Sequence, residues 1–594
     1  MTLSRTSMLR LAVAPAALLM IGFFFYPLLR IAGLSVHLPE FSLREYTAAF
    51  NPINVGIAVK TFTIAGTVTL ACLVLGYALA ACLAQTRGRV KQVVALCIIV
   101  PFLTSFLVRT YAWVVLLGDQ GALNGALLGM GLIKEPFELL YSRTGMYIGM
   151  IHVMLPLMVL PIYSAMQAID PMLWRAARGL GGGGLRTFLT VYLPLTMHGV
   201  RSGCILVFVL SLGFYITPAM LGASRDVMLG NLIATNVETT LNFGFAAALA
   251  LVLLGATLVI YAFLRLVGAG AAAPDGRRPA FSRWLGDRGE AIGARLFGGG
   301  TPAVAWSGAG WRAGSGRSEG RWKGAGRLAL FSFGFLACAY LVAPSVVVAI
   351  VSFNDGDNLA FPPTHWSLRW FRFLLADAQW AAAAVTSVKI AFASTVLTLV
   401  LGTAAAYGVA RLNHRREGRV IYALALAPMV VPSVVTALGA FAVLSDIGLY
   451  GTLTGVITMH VCLSIPLVLV VMVASFSGFD PRLEMAAQSL GASRILTFRR
   501  VMLPILAPGL MSAAMLAFLH SFDDVVMTSF IAGTKVVTIP LKMWENIRNQ
   551  VDPAVAALST LLILLPFIAL VVRRGTQAGD VRAGAASTPA SVAH

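Results

Sequence analysis

Charged side chains inside apolar sequence are the first candidates for chemistry in this chain. Asp523 and Asp524 stand together in one long apolar stretch, and Arg109 stands in another. Ionisable groups are costly in lipid and often mark a solute path. Two carboxylates could offset the lost hydration of an amine, so these three residues are candidates for a translocation path. Alternatively, an aspartate caps a broken helix or pairs with Arg109. His152 and His460 also lie in apolar runs, where interhelical hydrogen bonds are expected.

The sequence carries no recognisable catalytic motif. It has no H-E-x-x-H pattern, no clear nucleophile–base set, and no C-x-x-C pair among its six cysteines. It also has no G-x-x-x-x-G-K-[ST] loop, and none of its seven lysines follows a suitable glycine. We therefore expect no enzyme activity, no metal and no cofactor. If ATP drives the protein, separate subunits must hydrolyse it.

A polar segment occurs twice, 310 residues apart. Residues 170–194 and 480–504 share 12 of 25 positions without a gap. Small alanines allow a partner to approach, glycine permits a turn, and proline suits the entry to a following helix. A passive amphipathic helix on the membrane explains one copy, but two copies in register favour docking of two equal partner subunits. The residues expected in these docking loops are Ala176, Ala177, Gly181, Pro194, Glu484, Ala486, Ala487, Gly491 and Pro504.

Composition places these loops in a membrane protein. The chain has 594 residues, of which 58% are apolar and only 11% charged, and its mean hydropathy is +0.84. Continuous apolar runs favour helices, because a β-barrel would show alternating residues. The predicted fold is therefore an all-α polytopic membrane protein.

Twelve apolar runs are long enough to span a bilayer, in two sets of six. With the N-terminus in the cytoplasm, 31 of the 44 Lys and Arg fall on cytoplasmic segments, as the positive-inside rule requires. This asymmetry explains the net charge of +20 without a nucleic-acid partner. The first run is interpreted as a retained helix and both termini as cytoplasmic. The runs are 11–34, 57–84, 93–117, 145–167, 199–222, 245–266, 328–352, 383–410, 420–445, 453–476, 508–531 and 554–572.

The domain prediction follows from these runs. Residues 1–266 and 328–575 form two six-helix units, related by a pseudo-two-fold axis along the membrane normal, with a path between them. Residues 267–327 contain 16 glycines and few aliphatic residues, which predicts a flexible cytoplasmic linker. Residues 576–594 are predicted to be a disordered cytoplasmic tail.

Beyond the repeated loop, local stretches in both halves resemble a known family. They are similar to inner-membrane permeases of binding-protein-dependent ABC importers, of the spermidine/putrescine type, with two permeases fused in one chain. The stretches that carry this resemblance, besides the repeat, are 104–113, 118–124 and 214–222 in the first half and 352–355, 367–371, 521–524 and 538–544 in the second.

The resemblance implies a mechanism and partners. The repeated segment corresponds to the EAA loop, which in the family forms a coupling helix on each of two ATP-binding subunits. A periplasmic binding protein would deliver a small solute, such as spermidine or putrescine, to a permease in the bacterial inner membrane. Related permeases import iron, thiamine, opines or phosphonates, and these substrates stay open. An ion-coupled secondary transporter would share the topology but does not explain the twin loops.

Two departures from the family pattern stand out. The position of the acidic residue that names the motif is Arg175 in the first copy and Met485 in the second, with Glu484 one residue earlier. This difference predicts unequal contacts by the two loops. Four consecutive glycines, residues 181–184, also predict a pliable turn in the first copy.

Overall fold

The computed structural model of the protein describes residues 5–181, 183–269, 320–357, 359, 361–363, 365–412, 415–549 and 553–564. These residues are mainly helical, and a single antiparallel bridge joins Asn354 and Trp366 among them. Helices dominate because each one satisfies its own backbone hydrogen bonds, as a lipid environment demands.

The first half contains both long spanning helices and short connecting ones. Long helices arise where the apolar runs are continuous, and the short helices follow turns at their ends. They are α1 (Ser7–Ser35), α2 (Arg44–Ala49), α3 (Pro52–Gln85), α4 (Gly88–Leu103), α5 (Phe106–Leu117), α6 (Ala122–Gly129), α7 (Arg143–Gln167), α8 (Pro171–Gly179), α9 (Phe188–Leu212), α10 (Ile216–Leu221), α11 (Leu229–Glu238) and α12 (Phe243–Ala269).

The second half repeats this order, except that nothing in it corresponds to the short helix α6 among the described residues. Its helices are α13 (Gly320–Val351), α14 (Arg369–Ala376), α15 (Ala378–Leu412), α16 (Arg416–Ala425), α17 (Ser433–Asp446), α18 (Leu453–Ser477), α19 (Pro481–Ser489), α20 (Arg494–Phe522), α21 (Val526–Ile531), α22 (Ile539–Asn549) and α23 (Pro553–Leu564).

Comparison with the twelve predicted runs confirms the all-α polytopic fold and corrects two spans. Within the described ranges, nine helices are long and apolar enough to cross a membrane. The third predicted run is broken instead of continuous, and the helices on the two sides, Gly88–Leu103 and Phe106–Gly129, differ in direction by 103°. The ninth run is likewise divided, into α16 and α17. The twelfth is described only to Leu564.

The first spanning helix of each half packs against the other half. Helix α1 lies along α15, and a Cβ added to Gly408 would be 2.5 Å from Val13 Cγ2. Helix α13 lies against α3, α4 and α5, and a Cβ added to Gly334 would be 2.6 Å from Cys82 Sγ. Both contacts require glycine because the helices approach too closely for a side chain. The two predicted six-helix units are therefore interlocked.

The exchanged helices complete the apolar core of the opposite half. Val13, Ala16, Met20 and Phe24 of α1 are buried with residues of α15, α18 and α20. Residues of α13 are likewise buried with α3, α7 and α9. A third and larger core joins both halves at the centre.

Polar contacts also hold α1 to the second half. Arg10 pairs with Glu417 at 2.9 Å, and Arg30 pairs with Asp446 at 2.9 Å. Exposed ion pairs of this kind contribute little stability, so they set the position of α1 while close van der Waals packing against α15 supplies most of the attraction.

The predicted linker is partly covered by the structure. Helix α12 continues to Ala269 and α13 begins at Gly320, so both reach into the segment 267–327. The remainder of that segment, and the predicted tail 576–594, lie outside the described residues.

Candidate coupling surface and translocation site

The two repeated segments form matching short helices, α8 and α19. Asp170 accepts a hydrogen bond from Met172 N at 2.8 Å, and Asp480 accepts one from Arg482 N at 2.9 Å. Each aspartate is followed by proline at the first helical position, which has no N–H to leave unsatisfied. The Asp-Pro pair therefore starts both helices in the same way.

Both helices end in the same glycine turn. Gly181 has φ of +83° and Gly491 has φ of +86°, a conformation that other residues rarely adopt. The turns leave Leu180 87% exposed and Leu490 89% exposed. Both helices thus carry a large, exposed apolar side chain immediately before the glycine turn.

The predicted alanines lie on these helices with equivalent exposure. Ala176 and Ala486 are exposed, whereas Ala177 and Ala487 are half-buried. Because alanine side chains are small, another protein surface can approach the backbone of these helices closely. We define the coupling surface as α8 with Leu180 and Gly181, together with α19 with Leu490 and Gly491.

Each coupling helix is joined to a spanning helix through a π-helical turn. The turns are Phe188–Tyr192 and Phe498–Met502, and they are followed by Pro194 and Pro504 at the second position of the next α-helical stretch. The wider π turn accommodates the missing N–H of proline inside one continuous helix. Movement of a coupling helix can thus pass directly into α9 or α20.

The two coupling helices are attached differently to their own halves. In the second half, the Glu484 carboxylate accepts a hydrogen bond from Tyr407 Oη at 3.0 Å and pairs with Arg411 at 2.8 Å. In the first half, Trp174 occupies the equivalent place and packs edge-on against Tyr192, with ring centroids 5.8 Å apart. Glu484 thus faces its own half, a role that the spacing of the motif did not predict.

The centre of the molecule contains the break between α4 and α5. Asp523, from the second half, accepts hydrogen bonds there from the Ser105 hydroxyl and from Phe106 N, whose nitrogen lies 2.8 Å from Oδ2. A carboxylate at a helix N-terminus satisfies free N–H groups and complements the helix dipole. Asp523 therefore caps a helix of the opposite half, which is the capping geometry raised as an alternative from sequence.

Arg109 lies one turn into α5, where it is only 7% exposed. Its guanidinium donates to Val153 O at 3.2 Å. The structure thus places Arg109 beside the capped end of α5. We call Ser105, Phe106, Arg109 and Asp523 the cross-half latch.

Asp524 has partners within its own half. It accepts hydrogen bonds from Thr528 N at 3.0 Å and Thr528 Oγ1 at 3.3 Å, at the start of α21. His460 Nε2 lies 3.9 Å from its Oδ1 and 3.2 Å from Thr528 Oγ1, while His460 Nδ1 lies 2.8 Å from Ser521 Oγ. His460 therefore links helices through hydrogen bonds. His152 does so too, at 3.1 Å from Leu341 O.

The pseudo-equivalent contact on the other side of the centre has no carboxylate. Gly213, which follows α9 as Asp523 follows α20, packs against the break before α17. A Cβ there would lie 3.0 Å from Pro432 Cβ and 3.2 Å from Ser433 N. The two halves thus meet at two similar crossings, of which one carries a half-buried carboxylate, Asp523. Pro432 before Ser433, a proline–serine break in an apolar run, was a local signal that sequence reasoning missed.

Among the residues that the structure describes, no group of three His, Cys, Asp or Glu side chains is arranged to hold a metal ion. The groups brought together at the centre are mainly hydrogen-bond partners.

Comparison with known proteins confirms the resemblance. The model of the family "binding-protein-dependent transport system inner membrane component" matches residues 73–271 and again 398–574. The spermidine/putrescine transport system permease protein PotB of Escherichia coli is 33% identical over 250 residues, covering 40% of this chain and 91% of that protein.

Two further relatives show similar coverage. The spermidine/putrescine transport system permease protein PotC of Haemophilus influenzae is 31% identical over 242 residues, covering 41% of this chain and 93% of its own. The inner membrane ABC transporter permease protein YdcU of Escherichia coli is 31% identical over 245 residues, covering 39% of this chain and 77% of its own. With the family model matched twice in tandem, this chain belongs to the inner-membrane permease family of binding-protein-dependent transport systems and holds two permease units in one polypeptide.

Proposed function

We propose that this permease carries a polyamine such as spermidine or putrescine across the bacterial inner membrane. The names of the relatives PotB and PotC support this substrate. The observation that carries the proposal is the cross-half latch, in which a half-buried carboxylate of one half holds a helix end of the other. An ammonium group can replace those donors at Asp523, because it offers charge and hydrogen bonds to the same oxygens.

The proposed transport step follows from this competition. Without substrate, the N-terminus of α5 neutralises Asp523 and joins the halves. An arriving ammonium binds Asp523, releases Phe106 N and Ser105, and so loosens the contact between halves. Asp524, 14% exposed beside the latch, offers a second carboxylate for a second amine. Substrate binding would thereby be linked to opening of the path.

Energy for the cycle is proposed to come from two separate ATP-binding subunits at the coupling surface. The paired exposed leucines and the low alanine surfaces support two equal docking sites. ATP binding would draw the two coupling helices together, and the continuous helices α9 and α20 would transmit the movement. A periplasmic binding protein would dock on the opposite face, with both termini and the segment 267–327 cytoplasmic.

Transport in proteoliposomes tests this function. The full chain would be reconstituted with the ATPase and binding protein encoded by neighbouring genes, and ATP hydrolysis measured with spermidine, putrescine, thiamine or a ferric chelate. Of these solutes, we expect only spermidine and putrescine to stimulate ATP hydrolysis and to enter the vesicles. Stimulation by thiamine or iron instead would refute the substrate, and uptake driven by an ion gradient without the ATPase would refute the energy source.

A further inference from the structure

A cleft opens beside the first coupling helix, at the end of the molecule that carries the coupling surface. Its volume is about 1270 Å³. The end of α3, the start of α4 and the start of α8 form its walls, and Phe331 of the exchanged helix α13 lies at its edge. The cleft therefore lies where spanning helices meet the first coupling helix.

The second half shows what the first half lacks at this place. Gly76 packs against Met158, and Gly402 packs against Val468 in the same way, which fixes the register between α3 and α15. In that register, Ala81 stands where the second half has Tyr407.

Likewise, Gln85 stands where the second half has Arg411, and Trp174 stands where it has Glu484. All three first-half residues line the cleft. In the second half, the Glu484 carboxylate and its partners Tyr407 and Arg411 form a carboxylate brace between α19 and α15. The first half lacks this brace, and the cleft lies in its place.

The lining of the cleft is rich in positive charge. Arg87, Lys91 and Arg175 all contribute to it. Within the described part of the chain, Arg87 and Arg175 have no ion-pair partner, and Lys91 lies over the Tyr163 ring at 5.7 Å. The carboxylate in the lining, Asp170, already accepts from a backbone N–H of α8. An anion would therefore be attracted to the cleft.

The position of the cleft favours a lipid as the source of that anion. Helix α4 begins at the cleft and presents Val90 and Val93, 56% and 57% exposed, on a surface that continues into an apolar run. Trp174 and Phe188 add aromatic surface to the lining. Acyl chains can lie along α4 while a phosphate reaches the basic groups, an arrangement typical of head-group sites at the cytoplasmic face.

We propose that this cleft binds the head group of an anionic phospholipid such as phosphatidylglycerol or cardiolipin. The lipid phosphate supplies to the first coupling helix the negative charge that Glu484 supplies to the second. A lipid phosphate thus holds the first coupling helix, α8, whereas side chains of the second half hold the second coupling helix, α19. This proposal concerns binding to the full chain and can be tested without transport.

Lipid titration of the purified full chain, followed by native mass spectrometry, gives the test. Phosphatidylglycerol and phosphatidylcholine would be compared on the wild type and on Arg87→Gln/Arg175→Gln. Each cationic side chain near a membrane surface changes lipid affinity about fivefold, so the double variant should weaken phosphatidylglycerol binding about 25-fold. The matched control, Arg415→Gln/Arg419→Gln, removes two charges from the corresponding end of α16 and should leave the tight site unchanged.

A second variant tests whether a carboxylate in the first half can replace the lipid phosphate. Trp174→Glu/Gln85→Arg rebuilds the brace in the first half without changing net charge, and should abolish tight lipid binding. Hydrogen exchange should show that phosphatidylglycerol protects the amides of α8 in the wild type and not in this variant. Equal loss in the control, equal binding of phosphatidylcholine, or full displacement by inorganic phosphate would each overturn the proposal.

Discussion

Replacing Asp523 separates the two roles proposed for its carboxylate, the cap of α5 and the binding of an amine. Asp523→Ala removes both the hydrogen bonds to Ser105 and Phe106 and the negative charge. Asp523→Asn removes the charge but keeps an oxygen acceptor, and asparagine caps helices about as well as aspartate. The two variants should therefore behave differently.

The size of the effect follows from the contacts. Loss of an N-cap costs about 0.5–2 kcal/mol, and loss of a charge at a helix N-terminus costs about 0.3–1 kcal/mol. A total of about 2 kcal/mol corresponds to roughly a 30-fold change in the equilibrium between latched and released halves. With Asp523→Ala, ATP hydrolysis in the absence of binding protein should rise by up to about 30-fold while polyamine uptake falls.

The assay compares three variants in nanodiscs with the ATPase subunits bound. Asp523→Asn should keep basal hydrolysis within about threefold of wild type, because the cap survives, but should lose polyamine uptake. Asp524→Ala is the control, since Thr528 and His460, its partners, lie in the same half. It should not raise basal hydrolysis. Unchanged basal hydrolysis in Asp523→Ala, or an equal rise in Asp523→Asn, would refute the latch, provided that all variants keep the wild-type melting temperature.

Three further predictions concern coupling and the interlocked halves. Gly491→Pro should leave the chain inserted but abolish binding-protein-stimulated hydrolysis, because proline cannot adopt φ of +86°; unchanged transport would count against the coupling role. Glu484→Gln should reduce stimulated hydrolysis by about 10- to 100-fold, since a charge-assisted hydrogen bond contributes about 1.5–3 kcal/mol, and a rate equal to that of the wild type would show that the pairing of Glu484 with Arg411 does not contribute to coupling. Oxidation should join the free thiols of Cys97 on α4 and Cys338 on α13, two helices that pack together, so that proteolysis within 267–327 leaves one band on a non-reducing gel; two separate bands would contradict the packing of α13 on α4.

The coupling surface was predictable because its signals are local. Asp170 before Pro171 starts a helix and Gly181 ends it, and the same order from Asp480 to Gly491 repeats within a dozen residues. Local backbone preferences and short-range caps decide such structures. The segment also occurs twice in the chain, and the same start and end signals in residues 170–194 and 480–504 predict the same structure for both.

The cross-half latch was less accessible from sequence. The run 93–117 is apolar on both sides of Ser105, and hydropathy is the same for a continuous and a broken helix. That an aspartate caps something was predictable from its place at a helix end. Which helix Asp523 caps was not, because Phe106 is distant in sequence and no spacing rule connects the two residues.

The packing of each first helix against the opposite half could not be predicted from sequence for a similar reason. Order along the chain suggests that α1 packs with α3, yet its N-terminal part lies along α15, where Gly408 meets Val13. The glycine that permits this contact is also compatible with many other helix crossings. Only the packing of the complete halves against each other determines which of these helix crossings forms.

The same exchange has a consequence for biosynthesis. A ribosome completes α1 long before it makes α15, so the N-terminal part of the first helix must remain in the bilayer without its partner while most of the protein is still being translated, whereas its C-terminal part, Tyr26–Ser35, can pack earlier on α12. The contacts of α1 with α15 and α17 cannot form until the second half is inserted. Encoding both halves in one message means that each early helix is followed, on the same nascent chain, by the groove that receives it, in a fixed one-to-one ratio.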